Sequence, residues 1–192
     1  MGRLRQFDPD VAVEQAMQVF WRQGYAATTP QDLVDALGIG KGSLYHAFGS
    51  KHGLFERALR RYRDREAQRL VDALGGPGPV KERLRRALRE LVEMDLADPD
   101  RRGCLAVNTA AELGGADAAA AGSVGWMFDH VEEAFRALVE EGQRTGELAR
   151  DRDSRAVASM VLATVVGLRV LSRLAGGRER ALRVVDATIA AL

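Results

Sequence analysis

The stretch Gly38-Ile39-Gly40-Lys41-Gly42-Ser43-Leu44-Tyr45-His46-Ala47-Phe48-Gly49-Ser50-Lys51 limits the possible folds more than any other part of the chain. It follows Leu33, Val34 and Leu37, apolar positions at helical spacing, and Gly38 stands where such a helix ends in a left-handed residue. From Gly40 a second short helix is expected, with Leu44, Ala47 and Phe48 on one face at i, i+3 and i+4. Lys41, Ser43, Tyr45 and His46 then fall on the opposite face, which is short, polar, basic and free of carboxylates. A helix, a glycine turn and a second helix with a donor-rich outer face form a helix-turn-helix, whose second helix enters the major groove of DNA.

These residues also resemble a known family. Thr28-Thr29, Asp32-Leu33, Gly38-Ile39, Gly42-Ser43-Leu44-Tyr45 and Phe48-Gly49-Ser50-Lys51 are similar to the DNA-binding domain of TetR/AcrR-type transcriptional repressors. The resemblance continues upstream through Ala16, Phe20, Trp21, Gly24 and Tyr25, and so covers about the first third of the chain. Two residues depart from the pattern: Pro30 falls just inside the second helix, and Ala47 stands where the family often has His. Proline is tolerated in a first helical turn, where its missing N–H would have no partner anyway. The resemblance implies DNA contacts from Thr28, Thr29, Lys41, Gly42, Ser43, Tyr45, His46 and Lys51. The two threonines also serve as helix caps in the plain reading of the sequence, and capping alone explains them.

Composition excludes other classes. The chain has 192 residues, enough for one or two domains with a real core, and is rich in Ala and Leu with few aromatics, which favours helices. No run of roughly 18 residues is apolar without charge, so no membrane span is expected. No apolar run follows the first residues, so no secretory signal is expected either. A single cysteine cannot form an internal disulfide, which suits the reducing cytoplasm. Net charge is only +1, but residues 1–65 carry ten Lys/Arg against seven Asp/Glu, and the remainder 18 against 20. The positive excess thus lies at the end with the helix-turn-helix, as DNA binding requires.

Along the chain, Arg3 and Arg5 suggest a basic arm, or simply a solvated terminus. Asp8-Pro9 opens a first helix with Val13, Ala16, Met17 and Phe20 inward, ending near Gly24. Ser50 caps a longer helix from Lys51 to Leu74, whose first turn carries Lys51 and His52 against the helix dipole. A DNA phosphate there would relieve the mismatch. Gly75-Gly76-Pro77-Gly78-Pro79 breaks the chain. Further helices are expected over 80–97, 104–113, about 122–145, 154–174 and from Gly176-Gly177 to the end. The fourth of these reads apolar nearly all round between Ala156 and Leu168, so it must be covered on most sides. The remaining helices are too few to cover it and the final helix, so a second copy is the expected partner, through Val157, Val161, Val165, Leu168, Leu182, Val185 and Ile189.

The resulting expectation is an all-α homodimer of about nine helices. Residues 1–50 form a three-helix DNA-binding domain, and 51–192 form a dimerising, effector-binding bundle entered by the 51–74 helix. The expected function is a repressor of a near-palindromic operator on double-stranded DNA, released by a small-molecule or electrophile effector, acting in the cytoplasm without cofactor, metal or membrane. Cys104, near a helix start and after Arg101 and Arg102, is a candidate sensor thiol or else a small buried hydrophobe. Asn108, Trp126 and His130 are candidate effector contacts. Asn108 and His130 are equally open to a core or interface role, and Trp126, a candidate pocket wall, is more often simply core in such a setting. Two other readings come from other classes. One is an architectural or division-linked DNA-binding protein without an effector. The other is an enzyme, for which Cys104 with His130 would be nucleophile and base, though nothing places them together. A phosphate-binding loop fails because Gly42 follows Lys41 where Ser or Thr is needed.

Overall fold

Asp8 opens the first helix as its chemistry requires: the carboxylate accepts the Asp10 N–H at 2.8 Å, and Pro9 takes the first helical position. The computed structural model describes residues 7–174 and 176–192, so Arg3 and Arg5 lie outside the described residues. Among the described residues there are nine helices and no strand. They are α1 Pro9–Gln23, α2 Pro30–Leu37, α3 Lys41–Phe48, α4 Lys51–Leu74, α5 Val80–Ala97, α6 Leu105–Leu113, α7 Ala118–Thr145, α8 Ser154–Leu171 and α9 Gly177–Ala190.

Two compact units emerge. One runs through Asp64 and takes in Cys104–Val124; the other comprises Arg65–Gly103 and Gly125–Leu192. α4 and α7 each contribute to both.

In the first unit α1 packs on α2 and α2 on α3. Thr29 caps α2 in a reciprocal box with Asp32, and Pro30 sits at the start of the helix, where its missing donor costs nothing. Gly38 ends α2 at φ +62°, a left-handed conformation that glycine adopts without strain. In the core of this unit Phe20, Leu33, Leu44, Phe48, Leu54 and Phe55 are all buried, and Phe20 meets Phe55 edge-on at 5.0 Å. α7 begins at Ala118 rather than about Gly122, because Asp117 caps it by accepting the N–H groups of Ala119 and Ala120, each at 3.0 Å. Cys104 is the N-cap of α6 and not part of its first turn.

In the second unit α5 packs against α8 and α9, and α8 against α9. Leu84, Leu88 and Val92 of α5, Val161 and Leu168 of α8, and Ala181, Val185 and Ile189 of α9 are all buried in its core. The expected partner face of α8 and α9 is therefore corrected. Val157, Val161, Val165, Leu168, Val185 and Ile189 are buried under the chain's own helices, and Leu182 is half-buried. The exposed apolar positions are Ala156, Met160, Ala163, Val170 and, beyond the helix end, Leu174, with Gly167 half-buried between them. α8 is also the one helix among the described residues long and apolar enough to cross a membrane by composition. Its buried side carries Arg169, which binds Asp95 of α5 and lies 3.9 Å from Glu66 of α4.

Candidate nucleic-acid interface

α3 is held by its apolar side. Leu44 is fully buried and Phe48 nearly so, with the Arg57 guanidinium 5.3 Å from the Phe48 ring centre. The opposite side faces outward: Lys41, Gly42, Tyr45 and His46 are exposed and Ser43 is half-buried. A β-carbon on Gly42 would meet nothing within 4 Å, so the fold itself does not require glycine there. The outer face is short, basic and donor-bearing, and no carboxylate occurs in α3. Such a helix suits phosphate and base-edge contacts.

Thr28, Thr29 and Lys51, also expected to meet DNA, are used inside the fold. Thr28 is buried and donates its hydroxyl to the Gly24 carbonyl at 2.6 Å. The Thr29 hydroxyl accepts the Asp32 N–H at 3.2 Å and donates to its carboxylate at 2.8 Å. The Thr29 N–H also donates to that carboxylate, at 2.7 Å. These bonds hold the Asp32 carboxyl below its usual range, the Thr29 backbone N–H having the larger effect. Lys51 donates to the carbonyls of Tyr25 (2.9 Å) and Thr28 (2.8 Å), with its ammonium 4.2 Å from the Tyr25 ring centre.

Two contacts escape a reading by spacing. Glu112 of α6 accepts the N–H groups of Tyr25 and Ala26, and Asp117 meets His52 Nε2 at 2.7 Å. Both join residues far apart in sequence, and nothing local marks either acid as a partner.

The four candidate effector residues do not share one unit. Cys104 is buried and Asn108 half-buried in the first. Trp126 and His130 belong to the second, where both are exposed and stack at 5.1 Å with rings nearly parallel. Trp126 is thus no interior pocket wall. Arg102, two residues before Cys104, gives its Nε to Asp98 at 3.0 Å. A groove of about 300 Å³ between α7 and α8 is lined by Asp129, Glu132, Glu133, Arg136 and Arg155. Arg136 in it is already paired with Glu133 and Glu140. Among the described residues, no group of three or more His, Cys, Asp or Glu side chains is placed to hold a metal ion.

Family comparison decides the class. Residues 12–58 match the family described as bacterial regulatory proteins, tetR family, and residues 80–188 match the tetracyclin repressor-like C-terminal domain. The chain belongs to the TetR family. This TetR-family chain is 31% identical to the uncharacterized HTH-type transcriptional regulator YezE of Bacillus subtilis, over all of both chains. It is 26% identical to the HTH-type transcriptional repressor ComR of Escherichia coli, covering 98% of this chain and 90% of that one. Among solved structures, a cysteine-mutant TetR-family regulator CifR complexed with 26-base-pair operator DNA is 33% identical. That match has a TM-score of 0.84 and covers 99% of each chain. The TetR-family chain is accordingly a helix-turn-helix transcription regulator.

Proposed function

We propose that the chain is a repressor that binds a near-palindromic operator as a homodimer and lets go when an effector binds. Residues 1–50 read DNA; residues 51–192 dimerise and bind the effector, with α4 joining the two. The observation that carries this reading is the outer face of α3, where Lys41, Ser43, Tyr45 and His46 present donors on a helix without a carboxylate. The operator-bound CifR structure and the repressor relatives support it. We place the dimer contact on the outward stripe of α8, Ala156, Met160, Ala163, Gly167 and Val170, whose 4, 3, 4, 3 spacing makes one continuous seam.

An effector shifts the DNA-bound state only by preferring one arrangement of the two reading helices over another, since equal affinity shifts nothing. Burial of Cys104 favours a non-covalent small molecule over an electrophile acting at the thiol. Iodoacetamide should therefore label the folded protein more slowly than it labels a free cysteine at neutral pH. The chain acts in the cytoplasm, where its DNA lies, and works by binding rather than turnover.

Footprinting on the DNA upstream of the chain's own coding sequence tests the proposal. A protected near-palindrome, cleared by a small molecule, is the expected result. Many scattered sites with no releasing molecule would instead mark an architectural protein.

A further inference from the structure

The turn between α1 and α2 is held by a carboxylate from a distant part of the chain. Glu112, in the last turn of α6, accepts the Tyr25 N–H at 3.0 Å on one oxygen and the Ala26 N–H at 2.6 Å on the other. Gly24, just before them, has φ +82°, and a β-carbon there would come within 2.9 Å of Glu112 Oε2. The glycine therefore supplies both the turn and room for the carboxylate. From the other side, Lys51 holds the carbonyls of Tyr25 and Thr28. Tyr25 thus has its N–H taken by α6 and its C=O by α4. Five residues after Glu112, Asp117 caps α7 and meets His52, the neighbour of Lys51. The gripped turn runs directly into Thr29, the cap of α2, and α2 leads through Gly38 to α3.

We propose that Glu112 is a positioning residue for DNA recognition: its carboxylate fixes the α1–α2 turn and through it the pose of α3. The α6–α7 corner is then part of the reading head, although more than fifty residues separate it from α3 in sequence. A carboxylate is suited to this because one group satisfies two converging backbone donors that would otherwise turn to water. Any displacement of α6 is felt at α3 by way of the turn. The inference rests on the DNA-binding reading above and adds its internal wiring.

The test uses the full chain as wild type, Glu112→Gln and Glu112→Ala. DNA probes are duplexes that the wild type enriches from a random-sequence pool. Amide hydrogen exchange is followed at Tyr25 and Ala26, across α3, and at Ala16 to Phe20 in the middle of α1 as an internal control. For Glu112→Ala, exchange at Tyr25 and Ala26 should quicken at least tenfold and α3 should follow. The α1 control should stay unchanged, and affinity for the enriched duplex should fall about tenfold. Gln keeps an acceptor oxygen for one of the two N–H groups and should fall between. Faster exchange at the turn with unchanged affinity would overturn the proposal. So would equal acceleration in α1, which would mean general loosening. A pool from which the wild type enriches no sequence would bring down the DNA-binding reading itself, a result distinct from either.

Discussion

Lys51 gives its ammonium to two backbone carbonyls and the Tyr25 ring, so its loss is felt in the fold before it is felt at DNA. Lys51→Met should lower the unfolding free energy by about 1–3 kcal/mol, because two part-buried acceptors lose a charged donor. Urea denaturation of the DNA-free protein measures this, and an unchanged midpoint would return Lys51 to the phosphate role. Tyr45 makes the opposite case: it is exposed on α3, so Tyr45→Ala should leave the midpoint nearly unchanged while weakening operator binding about tenfold. Residue type and spacing placed both side chains on the right helices. They did not tell them apart, because Tyr25 and Thr28, which claim Lys51, lie more than twenty positions upstream. Asp95 carries the pH prediction. Burial raises its carboxyl pKa despite the pull of Arg169 beside it. A carboxyl whose folded pKa exceeds its unfolded value binds more protons in the folded state, so stability falls as pH rises above about 4. Asp95→Asn, which keeps an acceptor for Arg169, should remove that fall. The variant should match the wild type in urea at pH 3.5 and exceed it at pH 7; equal midpoints at both would refute the assignment.

At the scale of elements, caps and breaks were the legible part. Asp8-Pro9, Thr29 and Gly38 each begin or end a helix as local chemistry dictates, whereas Thr28, read as a second cap, donates to the Gly24 carbonyl instead. α7 started earlier than its apolar spacing suggested, because an Asp cap and an alanine run carry the start without any apolar period. The outward face of α8 was not legible for a related reason. A helix apolar all round has no polar side to mark what faces away, so the large residues Val161, Val165 and Leu168 drew the interface reading. They fill the protomer's core, while Ala156, Ala163 and Gly167, which allow close approach by another backbone, face away from its centre. Two substitutions in α8 therefore separate the faces. Val161→Ala should cost about 2 kcal/mol of stability with the dimer retained. Ala163→Arg should leave each protomer folded by circular dichroism yet monomeric by sedimentation at micromolar concentration. If the arginine variant still sediments as a dimer, the seam lies elsewhere.

For the whole molecule, charge argues that affinity comes from geometry. The chain is nearly neutral, and α3 offers only Lys41 among lysines and arginines. One such head cannot hold DNA strongly through phosphate attraction, since the salt-dependent term grows with the number of phosphates neutralised. Two heads on one rigid dimer can, because the second binds at a high effective concentration once the first is seated. That advantage exists only if both heads meet the same side of the duplex, with half-sites about 34–36 Å apart, one helical turn. Inserting about 5 base pairs at the operator centre turns one half-site to the far side of the helix. Affinity should then drop to that of an isolated half-site, while the protein remains a dimer. The Ala163→Arg monomer supplies the matching control, for it should bind the intact and the lengthened operator equally, and only at the half-site level. If wild type tolerated the insertion, or the monomer bound as tightly as the dimer, recognition would belong to single heads and the symmetric seam on α8 would have no part in it.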